Sequence, residues 1–357
     1  MGKTLKLTSG MAVAFVAGMG VAVAGNAPGV TDTEIKIGNT NPYSGPASVY
    51  STIGKSIGAC WKQVNAEGGI NGRKIKWISY DDGYSPPKTK EQIRRLVEKD
   101  KVALTFQTLG TPTNSAIHKY MNKKKVPHLF VATGATKWGQ PKKFPWTMGF
   151  QPNYQTIGRI FGNYILQNHP NSKVAVLYQN DDYGKDYVIG VKDAMGDKYA
   201  KQVVKEETYE VTDPTVASQI ISLKNSGADV MVNISIPKFA AQAIKKMDAI
   251  GWKPVHLLND VAATIKATFV PAGLEKSKGI ISVTYLKDPN DPEWKNDPEM
   301  NEWRAFMAKY YPKGDADNAF NVYGWSVCSL MIDTLKRAGN DLSRENIMKQ
   351  AASFKKF

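Results

Sequence analysis

Side chains that could carry out chemistry are few in this 357-residue chain, and none forms a recognisable catalytic pattern. The acidic pairs Asp81–Asp82 and Asp181–Asp182 each follow a predicted strand, where adjacent residues point to opposite faces. Acid-base catalysis needs two carboxyl groups held in different environments across a substrate. The four histidines lack H-E-x-x-H spacing, and no G-x-S-x-G motif occurs. The sequence therefore predicts a protein that is not an enzyme and that uses no cofactor or metal.

Two loops are better suited to holding a small ligand. In TLGTPT, residues 108–113, the chain opens a helix whose free N–H groups can bind an anion, and Gly110 lets a ligand approach the backbone. An ordinary turn with Pro112 starting the helix is the alternative. In VATGATKW, residues 131–138, hydroxyl and carbonyl groups around Thr133 could orient a polar head group.

Alternating strands and helices must position these loops. Apolar helical spacing at Ile53, Ile57 and Trp61 follows a first strand that contains Ile35. Further strands are predicted at 74–80, 103–107, 128–132, 174–179, 203–207, 230–235, 255–259 and 280–285. Strands that alternate with helices favour parallel sheets covered on both faces, which is an α/β architecture.

An internal repeat predicts two doubly wound lobes. The order of elements from 54 to 107 recurs from 184 to 235, and two such sheets facing each other would close a cleft around a small molecule. The stretch 144–153 has no helical or long strand period and is interpreted as the first crossing between lobes, with a second near 283–287. Lobe one is therefore predicted at 25–152 and 286–357, and lobe two at 153–285.

The N-terminus indicates export. Lys3 and Lys6 precede an apolar run that ends at Ala24, which is typical of a signal peptide over residues 1–24. A membrane anchor is the alternative, but a span needs about 20 apolar residues and this run is shorter. Export permits a disulfide between Cys60 and Cys328, but a chain of this length can build its core without one, and we predict buried free thiols.

The net charge of +15 raises the question of nucleic-acid binding. The basic residues are scattered as short pairs and one triplet, with no aromatic RNA-binding motif and no Cys/His finger. We therefore predict a basic solvated surface and no nucleic-acid partner.

The opening unit, residues 34–82, resembles a known family. Its hydrophobic strand, the SGP turn, a tyrosine, a helix ending in N-x-x-GGI-x-G and a YDD strand are similar to those of bacterial leucine/isoleucine/valine-binding proteins. The resemblance implies the type I periplasmic binding protein fold, a small-molecule ligand, no cofactor, and an inner-membrane ABC permease as partner. It implies a periplasmic protein, which we expect to be a monomer.

The resemblance also implies roles for individual residues. Tyr50 and Tyr183 would lie on opposite walls of the cleft, the loop at Gly110 would bind the ligand carboxylate, and Asp260 would pair with an α-ammonium group. By residue type alone, an Asp after a strand is more often a helix cap or a solvated residue. The predicted ligand-binding residues are Tyr50, Leu109, Gly110, Thr111, Thr133, Gly134, Ala135, Tyr183, Ser235 and Asp260.

Two departures from the family pattern keep the ligand class open. Gly110 replaces a common serine and Ala135 replaces a common threonine, so two side-chain hydroxyls are lost from the head-group site. The ligand is predicted to be a branched-chain or other hydrophobic amino acid, with aromatic or short aliphatic acids as the alternative. A ligand-sensing receptor module is the alternative from another class. The family's final strand pair is not found after the SRENIMKQAASF helix, so a truncated C-terminus is expected.

Overall fold

The computed structural model describes residues 27–355 as an α/β protein with two parallel sheets. The predicted signal peptide lies outside these residues. The first sheet has the strand order β2-β1-β3-β4-β5, and every pair in it is parallel. Its strands are β1 (Glu34–Asn41), β2 (Lys74–Asp81), β3 (Leu104–Phe106), β4 (His128–Val131) and β5 (Thr147–Gly149).

The second sheet repeats this arrangement with four strands in the order β7-β6-β8-β9, again all parallel. Its strands are β6 (Val174–Gln179), β7 (Val203–Tyr209), β8 (Val230–Ile234) and β9 (Val255–Leu258). The inner strands β3 and β8 are buried along their whole length, as expected for parallel strands covered by helices on both faces. The predicted α/β architecture with two doubly wound lobes is confirmed.

Helices connect the strands and cover both sheets. They are α1 (Ser51–Ala66), α2 (Pro86–Arg94), α3 (Thr111–Lys123), α4 (Tyr154–Asn168), α5 (Asp182–Met195), α6 (Asp197–Gln202), α7 (Ala217–Asn225), α8 (Pro237–Ala249), α9 (Val270–Ala272), α10 (Pro298–Tyr310), α11 (Ala319–Ala338) and α12 (Arg344–Ala351). Helices α10 and α11 pack on α1 of the first sheet, although they follow the second sheet in the sequence. Within residues 27–355, no helix is both long enough and apolar enough to cross a membrane.

One prediction about a strand is wrong. The strand predicted at 280–285 does not form: the segment makes only an isolated bridge between Leu257 and Ile281, and residues 282–285 pair with no strand. The segment 144–153, predicted to have no helical or long strand period, contains only the three-residue strand β5. Strand β5 pairs with β4 and forms one edge of the first sheet.

The prediction of free thiols is also wrong, because Cys60 of α1 and Cys328 of α11 form a disulfide. One helical turn before each cysteine, the two helices lie very close, and a Cβ on Gly324 would be 2.8 Å from the Cβ of Ser56. This close approach brings the two cysteine Cα atoms to 6.6 Å, within the range that a disulfide spans.

Candidate functional site

A cleft lies between the carboxyl ends of the two sheets and contains about 860 Å³ of empty space, part of it open to solvent. This is the position at which open α/β sheets bind ligands. Six of the predicted residues line it, and they come from loops and helix starts next to both sheets: Tyr50, Leu109, Gly110, Thr111, Tyr183 and Asp260. The structure therefore brings together residues that are far apart in the sequence.

The first wall contains the start of α3. Gly110 has a φ of +98°, and a Cβ there would lie 2.4 Å from the Tyr84 ring, so only glycine fits this turn. No side chain caps the helix, which leaves N–H groups of its first turn available to an anion. The N–H of Gly110 itself is not available, because it donates to the carbonyl of Ala132 at 3.2 Å.

The remaining predicted residues lie behind the wall rather than on it. The Thr133 hydroxyl is 2.5 Å from that of Thr111 and holds it in place. Gly134 leaves room for the Tyr154 ring, which a Cβ would approach to 2.6 Å. Ala135 is buried, and the Ser235 hydroxyl donates to the Asn233 side chain at 2.5 Å. These residues support the site and do not face the cleft.

Aromatic side chains form much of the cleft surface. The Tyr50 ring lies 5.1 Å from the Phe320 ring, and its hydroxyl donates to the carbonyl of Val261 at 3.1 Å, which joins the two walls. The Tyr154 ring stacks on Tyr187 at 4.4 Å. Burial raises the pKa of Tyr50 and of Tyr187 well above the usual range, so both hydroxyls stay protonated and act as donors.

Sequence reasoning missed several of these aromatic residues. The set comprises Tyr84, Tyr154, Tyr285, Phe320 and Tyr323, all of which line the cleft. The sequence contained one indication for two of them, because a cleft lies near the crossings between lobes. Tyr154 directly follows the first predicted crossing, and Tyr285 lies within the second. The other three carry no local pattern that separates them from ordinary core residues.

Asp260 provides the only carboxylate oxygen that is both buried and without a hydrogen-bond partner in the described part of the chain. Its Oδ1 accepts from the Tyr187 hydroxyl, whereas its Oδ2 has no partner. Burial raises the pKa of Asp260 to about 6, and the Tyr187 hydrogen bond, together with the nearby backbone N–H groups of Asp260 and Val261, opposes that rise. At neutral pH, Asp260 is therefore mostly ionised, and its second oxygen lacks the partner that a buried charge requires.

A second set of contacts joins the walls outside the cleft, and we call it the α5 clasp. Asp182 lies 2.5 Å from the Lys137 ammonium and accepts from the Ser115 hydroxyl at 3.2 Å. One turn later, Asp186 accepts from the N–H and the hydroxyl of Thr136 at 2.8 and 2.9 Å. The clasp therefore consists of Asp182 and Asp186 of α5 and their three partners on the first lobe.

Residues 34–357 match the model of a family described as periplasmic binding protein. This match covers most of the chain, and the protein belongs to that family of extracytoplasmic solute-binding proteins. The resemblance to leucine/isoleucine/valine-binding proteins is confirmed. A relative described as Leu/Ile/Val-binding protein homolog 1, from Brucella suis biovar 1, is 25% identical over 362 residues, covering 98% of this chain and 89% of the relative.

Solved structures share the fold at lower identity. A fatty acid ABC transporter substrate-binding protein from Thermomonospora curvata has a TM-score of 0.79 and 22% identity, covering 92% of this chain and 83% of that one. A branched chain amino acid ABC transporter structure from Thermus thermophilus with bound valine has a TM-score of 0.79 and 15% identity, covering 90% and 83%. These likenesses support the type I fold with two lobes.

Proposed function

We propose that this protein is the periplasmic solute-binding component of an ABC importer and that it captures a hydrophobic α-amino acid. The observation that carries the proposal is that Asp260, whose buried Oδ2 has no hydrogen-bond partner, lines the same cleft as the uncapped start of α3. A ligand with an ammonium group and a carboxylate would pair with the Asp260 carboxylate and with the N–H groups at the start of α3. Such pairing is favourable because an unpaired charge in a closed cleft is costly. The names of the Brucella and Thermus proteins agree with this ligand class.

The rest of the proposal follows from the fold. The carboxylate would meet N–H groups at the start of α3, and the side chain would contact Tyr50 and Phe320. The lobes would comprise 25–152 with 286–357, and 153–285, and residues 1–24 would be removed on export. The partner would be an inner-membrane ABC permease, to which a monomer delivers the ligand.

A second candidate ligand class is an aromatic or short aliphatic acid. Gly110 places no side-chain hydroxyl on the cleft wall, and a carboxyl group with a pKa of about 6 becomes protonated in mildly acidic solution. A protonated Asp260 could donate a hydrogen bond to a ligand that has no cation. The name of the Thermomonospora protein agrees with an acid of this kind.

Isothermal titration with leucine, 4-methylpentanoate and 4-hydroxybenzoate separates the two classes. If Asp260 pairs with an ammonium group, Asp260→Asn should weaken leucine binding by about 2 to 5 kcal/mol, the cost of leaving one charge of a buried pair alone. Binding of 4-methylpentanoate, which lacks the ammonium group, should change much less.

Asp288→Asn is the matched control, because Asp288 also lines the cleft but its Oδ1 already accepts from Asn290. It should leave leucine binding nearly unchanged. No heat with leucine, together with tight binding of 4-hydroxybenzoate, would contradict the amino-acid assignment and favour the second class. Ligand-dependent ATP hydrolysis by the permease in proteoliposomes would distinguish an importer component from a sensor.

A further inference from the structure

The middle of the chain is strongly and uniformly basic. Residues 101–180 contain nine lysines and one arginine but no aspartate or glutamate. Three of these cations find acidic partners elsewhere, in the pairs Lys124–Glu98, Lys137–Asp182 and Arg159–Asp193. The remaining cations cannot pair with an acidic residue of the same segment, because residues 101–180 contain none.

Five exposed lysines from this stretch form what we call the basic face: Lys119, Lys123, Lys125, Lys142 and Lys143. None of them belongs to an ion pair among residues 27–355. They come from the C-terminal end of α3, the turn that follows it and the loop before β5.

Direct contacts hold these two segments together. The Asn122 side chain accepts from the N–H of Trp146 at 2.9 Å and donates to the Thr147 hydroxyl at 2.8 Å. The His118 ring lies 3.9 Å from the Phe144 ring, over which the Lys143 ammonium sits at 5.5 Å. The lysines of both segments therefore belong to one continuous surface.

The basic face lies away from the ligand cleft. Helix α3 begins beside the cleft, directly after Gly110, and ends 13 residues later at Lys123. At 1.5 Å per residue, the two ends of this helix are roughly 20 Å apart. A partner on the basic face would therefore leave the cleft free.

We propose that the basic face rests on the anionic phospholipid surface of a membrane. The five cations of the face are all lysines, whose ammonium groups act as point charges and suit diffuse attraction to many headgroups. Its loop also presents exposed Pro141 and Pro145 and a partly exposed Trp146, and tryptophan is enriched at membrane interfaces. Such contact would concentrate the protein near the bilayer.

Co-sedimentation of the mature protein with vesicles tests this proposal. Binding is expected with vesicles that contain phosphatidylglycerol and not with pure phosphatidylcholine vesicles. It should be strong at about 0.1 M salt and lost near 1 M, where the screening length falls to about 3 Å. The variant Lys123→Gln/Lys125→Gln/Lys142→Gln should bind at least about tenfold more weakly, because each lysine near the surface adds to the attraction.

The matched control removes the same charge from the second lobe, as Lys198→Gln/Lys201→Gln/Lys253→Gln, three exposed lysines outside the basic face. It should retain vesicle binding, and both variants should keep the melting temperature and the ligand affinity of the parent. Equal loss in both variants would overturn the proposal in favour of a net-charge effect. Retention on immobilised polyglutamate without binding to vesicles would overturn it in favour of an acidic protein partner.

Discussion

The ionisation of Asp260 should control ligand affinity. Burial raises the pKa of this carboxyl to about 6, and an ammonium-bearing ligand needs its ionised form. As the pH falls below 6, protons compete with the ligand, and affinity for leucine should fall about tenfold per pH unit. Titration calorimetry at pH 7 and pH 5 measures this difference.

Asp82 offers a control for that profile, because its pKa is also raised to about 6 by burial. It is fully buried, accepts from the Tyr84 N–H and the Thr89 hydroxyl, and does not line the cleft. Asp82→Asn should therefore keep the same pH dependence of binding. Constant affinity between pH 7 and pH 5 in the parent protein would contradict an ion pair between ligand and Asp260.

Tyr187 acts on the ligand through Asp260. Its hydroxyl donates to Oδ1 and lowers the pKa of the carboxyl, against the effect of burial. Tyr187→Phe should move the midpoint of the binding profile to higher pH. Tyr183→Phe is the comparison, because the Tyr183 hydroxyl donates to Asn259 instead, at 3.0 Å. If both variants shift the midpoint equally, Tyr187 has no specific role.

At the scale of elements, the α5 clasp should favour the closed arrangement of the lobes. Asp186→Ala removes the two hydrogen bonds to Thr136, and a hydrogen bond to a charged group contributes about 1.5 to 3 kcal/mol when it is sheltered, and less at an exposed site. Small-angle scattering of the ligand-free variant should give a larger radius of gyration, with ligand affinity reduced severalfold because closure then costs more.

Asp193→Ala, on the same helix, is the control for this prediction. Asp193 pairs with Arg159 of α4, which packs on α5, and so does not connect α5 to the first lobe. Its loss should leave the radius of gyration unchanged. Opening by Asp193→Ala to the same extent as by Asp186→Ala would argue that general loosening of α5, and not the clasp, causes the effect.

At the scale of the whole molecule, the disulfide joins residues 268 positions apart. Closing so long a loop restricts the unfolded chain, and removal of the bond by Cys60→Ser/Cys328→Ser should lower the free energy of unfolding by about 2 to 5 kcal/mol. Ligand affinity should persist, because neither cysteine lines the cleft. Denaturant unfolding under non-reducing conditions, with parent protein as reference, measures the loss; an unchanged midpoint would contradict it.

The sequence determined the local elements and their order. Strand β6 was predicted with the bounds the structure has, because its apolar run has the length of a strand and is bounded by polar turn residues on both sides. The resemblance in residues 34–82 led to the family, and it pointed to Tyr50, Gly110, Tyr183 and Asp260, which do lie on the cleft wall. These residues sit at strand ends or helix starts, where position along the chain is informative.

Only the tertiary structure decided which distant residues meet. The disulfide, the α5 clasp and the placement of Tyr323 in the cleft depend on how helices pack, and periodicity in the sequence reports that a face is buried without reporting its partner. The unpaired Oδ2 of Asp260 is likewise invisible in the sequence, because pairing depends on the positions of every neighbouring donor. Local sequence patterns encode secondary structure through short-range geometry, whereas the site arises from contacts between segments that only the folded chain brings together.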